Sequence, residues 1–276
     1  MPELPEVETI RQDLDARIAG RVISGISLAP DSGRPVSVLK GIDEASFRER
    51  VVGSRIESVE RRGKYLMLRL DSGSMVVVHL RMTGALLHRP MNAPPERFLR
   101  IVLALDDGSE LRFTDIRKFG GLWLVDDVAD AIATALGPEP LSEGFTEALL
   151  AETLAGRKAP VKSIILDQRH IAGIGNIYAD EACFAAGIDP RRIGASLTPS
   201  DVKALHEAVR QVLLFGVESR GASFRDYQDA DGKAGNMQMH VKVFRRTGKP
   251  CYTCGTAIER TKVGGRSTHY CPRCQR

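Results

Sequence analysis

A chain of 276 residues exceeds the usual single-domain size, so two domains, or a domain with an appended module, are expected. Its hydrophobic content of 43% supports ordinary cores, and no apolar run approaches the roughly 20 residues that span a bilayer. An acidic segment stands where a signal peptide would carry a basic and then an apolar stretch, which predicts a soluble, cytoplasmic protein, and the net charge of +4 by itself says little about partners.

The chain opens "MPELPEVE". After it Val7, Ile10, Leu14 and Ile18 recur at three- and four-residue steps, which predicts one apolar helix face, ended by Gly20. Pro5 suits the first helical turn, and Glu3, Glu6 and Glu8 complement the positive end of the helix dipole. The stretches "SRIESVE", "KYLMLRL", "SMVVVHL", "FLRIVLAL", "ELRFTDI" and "GLWLV" follow, punctuated by "RRG", "DSG" and "DDGS", and read as short antiparallel strands. The Pro- and Gly-dense "LGPEPLSEG" reads as a linker. Four helices are then predicted in "TEALLAETLAG", "APVKSIILDQ", "NIYADEACFAAG" and "SDVKALHEAVRQVLLFGVESRG". Between the second and third, "AGIGN" (172–176) places glycines just before a helix, where backbone amides can face an anion. The expected class is α+β. A β-sandwich domain with a flanking helix spans 1–134, a linker 135–149, a helical domain 150–236 and a metal-binding hairpin module 237–276.

The last module concentrates net positive charge, about +8 against about −4 on the rest of the chain. Lys242, Arg245, Arg246, Lys249, Arg260, Lys262, Arg266, Arg273 and Arg276 face Glu259 alone, a surplus of about eight charges that would draw a polyanion to one end. Cys251 and Cys254 form one tight pair, and Cys271 and Cys274 a second after 16 intervening residues. Two such pairs match a four-thiolate zinc site, which is structural because it leaves no open coordination position. Two disulfides are the alternative, disfavoured in a reducing compartment. Cys183 reads as a small buried helix residue.

Taken together, "MPELPEVE", "LRMTG", "TDIRKFG", "LGPEPL", "GIGNIYADE" and the closing four-cysteine finger resemble, in this order and from Met1 to Arg276, the formamidopyrimidine-DNA glycosylases of base-excision repair. The opening "PELPE", in place of the "PEGPE" of the related endonuclease VIII enzymes, points to the purine-repair branch. The resemblance implies a helix-two-turn-helix in the helical domain and Pro2, freed by removal of Met1, as nucleophile. A free α-amine, with a pKa of about 8 against about 10.4 for lysine, is unprotonated roughly 250 times more often near neutrality. It would attack C1′ of the damaged nucleotide and form a Schiff base with the opened sugar. The resemblance further implies Glu3 as proton donor and acceptor and Lys64 as a cation needed for base excision. It gives Met82, Arg117 and Phe119 as the residues that fill the gap left by an extruded nucleotide. Read alone, Met82 and Phe119 would be core residues. Lys162, Asn176 and Arg266 are implied to hold phosphates, which positions a duplex without reading its sequence.

The chain departs from the family pattern where Ile116 and Lys118 replace a proline and an arginine, and where Met237 replaces an aromatic residue in the Gly- and Asp-rich segment 220–238 that would cap the flipped base. The implied partner is double-stranded DNA with oxidised bases or abasic sites, bound by a monomer. Two alternatives stay open: an endonuclease VIII-like enzyme for oxidised pyrimidines, and a non-catalytic zinc-dependent protein that binds damaged DNA.

Overall fold

The computed structural model describes residues 1–29, 38–127 and 136–276. The chain divides into two compact units, one of 1–134 with 219–236 and the other of 135–218 with 237–276.

In the first unit α1 (Leu4–Ile18) begins where its capping chemistry predicts. Glu3 is the N-cap in extended conformation, and its backbone N–H donates to Glu6 Oε2 at 2.7 Å, the return half of a capping box. Val7, Ile10, Leu14 and Ile18 are fully buried, as their spacing predicts. They join a core shared with two four-stranded antiparallel sheets. One sheet has the order β1-β6-β7-β5, from β1 (Ile23–Leu28), β5 (Gly84–Pro90), β6 (Leu99–Leu105) and β7 (Ser109–Asp115). The other has the order β2-β3-β4-β8, from β2 (Ile56–Arg62), β3 (Tyr65–Leu70), β4 (Met75–His79) and β8 (Gly121–Val125). β1, β5 and α2 (Glu44–Val51) were not legible as elements. The last starts at Asp43, whose carboxylate accepts from the Ser46 N–H at 2.9 Å, an N-cap signal inside an otherwise polar stretch.

The second unit holds α3 (Glu147–Leu154), α4 (Val161–Leu166), α5 (Asn176–Ala185) and α6 (Pro199–Glu218), followed by the hairpin β9 (Glu259–Val263) and β10 (Arg266–Tyr270). The expected division changes in three places. The 149/150 boundary falls inside α3, because Thr146 caps that helix by accepting from the Leu149 N–H. The stretch read as a linker is built into the helical unit: Gly137 N–H donates to Gln168 O, and Arg210 Nη1 donates to the carbonyls of Pro140 and Ser142. Residues 219–236, expected with the helices, group with the sandwich, for reasons given below. The 134/135 boundary lies outside the described residues. Among the described residues no helix is long and apolar enough to cross a membrane.

Candidate active site and nucleic-acid interface

Chain termini are usually loose, yet Pro2 and Glu3 are buried, and only Met1 before them is exposed. Two contacts explain this. Glu6, 1% exposed, uses one carboxylate oxygen on Glu3 N–H and the other on Ala222 N–H, both at 2.7 Å. The Tyr227 hydroxyl donates to the Glu6 carbonyl at 3.3 Å. Segment 219–236 is fastened to α1 again by Arg220, which bonds both Asp13 and Asp229 at 2.6 Å, and by Arg17 bonding Asp231. The Arg17 guanidinium holds the Asp231 carboxyl at about 2, below its usual range. Tyr227 and Ala230 enter the sandwich core. Gly221 is required where it stands: its φ is +78°, and an added Cβ would lie 2.8 Å from Glu6 Cγ and 3.0 Å from Glu6 Oε1.

Lys64 occupies the two-residue turn between β2 and β3, after Gly63 at φ 57°. It is 6% exposed, so it is not a solvated hairpin lysine. The hairpin is joined to α1 by Arg61, whose Nε lies 2.9 Å from Glu8 Oε2; Glu8 also pairs with Arg11 at 2.8 Å. Burial acts to raise the Glu8 carboxyl, but the Arg11 and Arg61 bonds outweigh it and hold it below the usual range. Beside Lys64 stands a residue with no assigned role in the sequence reading, His79. Burial first, then the charges of Arg81 and Lys64, lowers its pKa to about 3, and its Nδ1 accepts from the Arg81 N–H at 3.0 Å. A neutral imidazole with Nδ1 as acceptor carries its proton on Nε2. No periodicity marks it, because it is simply the last residue of an apolar strand.

The expected gap-filling residues are brought together. Met82 is 46% exposed and Phe119 53%, so neither is a core residue. The exposed Arg117 stacks its guanidinium 4.5 Å from the Phe119 ring centroid, and its Nη1 donates to Met82 Sδ at 3.0 Å.

In the second unit the expected phosphate contacts separate. Arg266 is exposed at the start of β10. Asn176 is the first residue of α5, behind the N-cap Gly175; its Nδ2 donates to the Ser267 carbonyl at 2.9 Å. Lys162 is different: it is 0% exposed and lies 2.6 Å from Asp180 Oδ1, also fully buried. Its Nζ donates to the Ser267 carbonyl and to Thr268 Oγ1. A side chain sealed from solvent cannot reach a phosphate, so the geometry makes Lys162 an internal tie between α4, α5 and β10. "AGIGN" is likewise partly used internally: Gln168 Oε1 accepts from Gly173 N–H at 2.9 Å, and Gln168 Nε2 donates to the Ile174 carbonyl. Glu181, 3% exposed, accepts from the N–H groups of Lys242, Val243 and Phe244 and anchors the chain entering the basic module. Burial raises its pKa against those three bonds.

Cys251, Cys254, Cys271 and Cys274 are not joined in disulfides, and their sulfurs lie within 4.8 Å of one another. Comparison with known proteins accounts for the whole chain. Residues 1–122 match the formamidopyrimidine-DNA glycosylase N-terminal domain, 136–228 the helix-two-turn-helix domain of the same enzymes, and 248–276 the zinc finger found in FPG and IleRS. A formamidopyrimidine-DNA glycosylase from Pelotomaculum thermopropionicum is 44% identical over 280 residues, covering 100% of this chain and 99% of that protein. The chain belongs to the formamidopyrimidine-DNA glycosylase family.

Two Lactococcus lactis structures of this family superpose over nearly the full length at 33% identity. The Fpg complex with DNA containing an abasic site gives a TM-score of 0.90 and covers 99% of both chains. The complex with Fapy-dG-containing DNA gives 0.89 and covers 99% of this chain and 100% of that one.

The family's zinc finger fits the residues present. The sulfur separations of 3.4 Å (Cys254–Cys271) and 3.9 Å (Cys251–Cys274) bracket the edge of about 3.8 Å that a tetrahedron with zinc–sulfur bonds of about 2.3 Å requires. The protein holds one structural zinc ion, and the disulfide alternative is removed.

Proposed function

We propose that this chain is a bifunctional DNA glycosylase and AP lyase that removes oxidised purines, such as 8-oxoguanine and ring-opened formamidopyrimidines, from duplex DNA in the cytoplasm, acting as a monomer. The observation that carries the reading is the buried, doubly bonded start of α1: Glu6 fixes the peptide that joins Pro2 to Glu3. A protein that only bound DNA would have no use for a rigid amine at its end.

With Met1 removed, the secondary amine of Pro2 attacks C1′ of the flipped nucleotide. The bond from C1′ to the base breaks, and the base leaves with a proton. Ring opening then gives an iminium between Pro2 and C1′. Loss of a C2′ proton expels the 3′-phosphate, a second elimination expels the 5′-phosphate, and water releases the enzyme. Glu3 supplies and takes the protons. It stands at the N-cap beside the positive end of α1, where a carboxylate is favoured. Lys64, held by the Gly63 turn and the Arg61–Glu8 pair, faces the sugar and phosphate of the same nucleotide. Met82 and Phe119 hold the neighbouring bases apart while the Arg117 guanidinium meets the orphaned cytosine. In the second unit Arg266 and Asn176 hold phosphates.

Borohydride treatment during reaction on an 8-oxoguanine duplex, read by mass spectrometry of the N-terminal peptide, tests this directly. A covalent adduct on Pro2 is expected. Full cutting by protein with a blocked Pro2 amine would sink the mechanism, and preference for thymine glycol in a mixed-lesion competition would move the substrate to oxidised pyrimidines.

A further inference from the structure

We infer that Thr83 and Asp115 are positioning residues that lock the gap-filling side chains in place before DNA arrives. The inference rests on the assignment of Met82, Arg117 and Phe119 as the gap-filling set.

The three residues lie on two separate loops, one between β4 and β5 and the other between β7 and β8. Both loops contain a non-glycine residue with positive φ, Arg81 at 53° and Lys118 at 58°. Such conformations persist only where neighbouring structure over-determines them. At Arg81 the backbone N–H is held by His79 Nδ1, and around Lys118 the neighbour is Asp115. Its side chain is 1% exposed, and among the described residues it has no ion-pair partner. Its Oδ2 accepts from Gly120 N–H at 2.8 Å, and its Oδ1 accepts from Arg117 N–H at 3.1 Å and from the Thr83 hydroxyl. One carboxylate thus closes both ends of the loop that carries Arg117 and Phe119. Thr83 carries the tie to the other loop: its Oγ1 donates to Asp115 and accepts from Arg117 N–H at 3.1 Å, and the residue before it is Met82. The Arg117 stack on Phe119 and its contact with Met82 are built on this buried frame.

The arrangement matters because apolar side chains about half exposed have little packing of their own to fix them. A flexible wedge would lose rotamer freedom on entering the stack, and preorganisation removes that cost from the bound state. Ile116, 48% exposed where the family has proline, lacks proline's fixed φ. The hydrogen-bonded frame supplies the rigidity instead.

Thr83→Val keeps the side-chain shape and deletes the hydroxyl, whereas Thr83→Ser keeps the hydroxyl. Excision of 8-oxoguanine from a duplex should slow about ten- to a hundred-fold in the valine variant, the scale expected for a small misplacement of positioning groups. The serine variant should stay within about twofold, since its hydroxyl can make both bonds. A duplex with 2-aminopurine next to the lesion should show a smaller fluorescence rise with the valine variant. Cleavage of an abasic site in a single strand, where no stack has to be opened, should be unchanged. Equal slowing on single and double strands would overturn the inference by revealing a general defect. Wild-type excision and fluorescence in Thr83→Val, with both lost in Met82→Ala, would overturn it while leaving the gap-filling assignment standing. A silent Met82→Ala would remove that assignment and the inference with it.

Discussion

At the scale of single residues, burial separates groups that the sequence presents alike. Lys64 and Lys162 are both lysines that the family resemblance places against DNA; the first is enclosed in a turn, the second is sealed in a pair with Asp180. Removing one partner of a buried pair typically costs about 3–5 kcal/mol, because the other charge is left uncompensated. A lost phosphate contact would instead lower the slope of log affinity against log salt by about one, with little effect on folding. Lys162→Met is therefore expected to lose about 3–5 kcal/mol in urea unfolding and to keep the wild-type salt slope for duplex binding. Adding Asp180→Asn, which keeps an acceptor for the His269 N–H bond, should recover a large part of that loss. A reduced salt slope with unchanged unfolding would return Lys162 to the phosphate contacts.

At the scale of elements, six of the eight sandwich strands, the four helices and the cysteine hairpin were legible because each carries a local signal: alternation, a 3.6-residue period, or paired thiols. β1 and α2 were not, since "ISGISL" and "EASFRERV" place serine, glycine or charge where a periodic pattern would need apolar residues. The exposure of Met82 and Phe119 could not be read from composition either; it follows from loops tied by Asp115, a long-range feature. The largest difference concerns 219–236. Its Gly- and Asp-rich composition suggests a mobile lid, whereas Tyr227, Ala230 and two arginine clasps fix it to the sandwich unit. That anchoring runs through Glu6, so the segment and the start of α1 share one carboxylate. Gly221→Ala should break the sharing, since the new methyl both meets Glu6 and demands a positive φ. Base excision is expected to fall more than tenfold, a loss of about 1.4 kcal/mol or more in transition-state stabilisation. The four cysteines and the second unit's hydrogen-exchange protection should be untouched. Wild-type excision rates in this variant would show that the segment does not support the terminus.

At the scale of the whole molecule, the chain alternates between two units, and each return is secured chemically: Glu6 and the arginine clasps receive 219–236, and Glu181 receives 242–244. Beyond that point little apolar core remains. The basic module is centred on Val243, Cys251, Ile258 and Cys271, with the other two cysteines and Phe184 partly covering them. So small a cluster cannot order a hairpin by burial alone, and below about 40 residues a metal or disulfides usually supply the difference. The metal's contribution is also transmitted. β10 provides the Ser267 carbonyl that accepts from both Lys162 and Asn176, so loss of the hairpin removes partners from the buried Lys162–Asp180 pair and from the start of α5. Structural zinc in small fingers binds with apparent free energies of about 10–16 kcal/mol, so a thiol-modifying mercurial followed by a chelator is the practical way to remove it. One zinc per chain should be released. Amide-exchange protection should fall across 259–270 and then in α4 and α5, with the sandwich strands unaffected. Duplex affinity should fall steeply, because Arg266 and its basic neighbours are no longer held in one geometry. Borohydride trapping on a saturating abasic substrate should survive longer than duplex affinity, since Pro2 and Glu3 are held within the sandwich unit. Simultaneous loss of protection in both units would instead mean that the zinc module is part of a single cooperative fold.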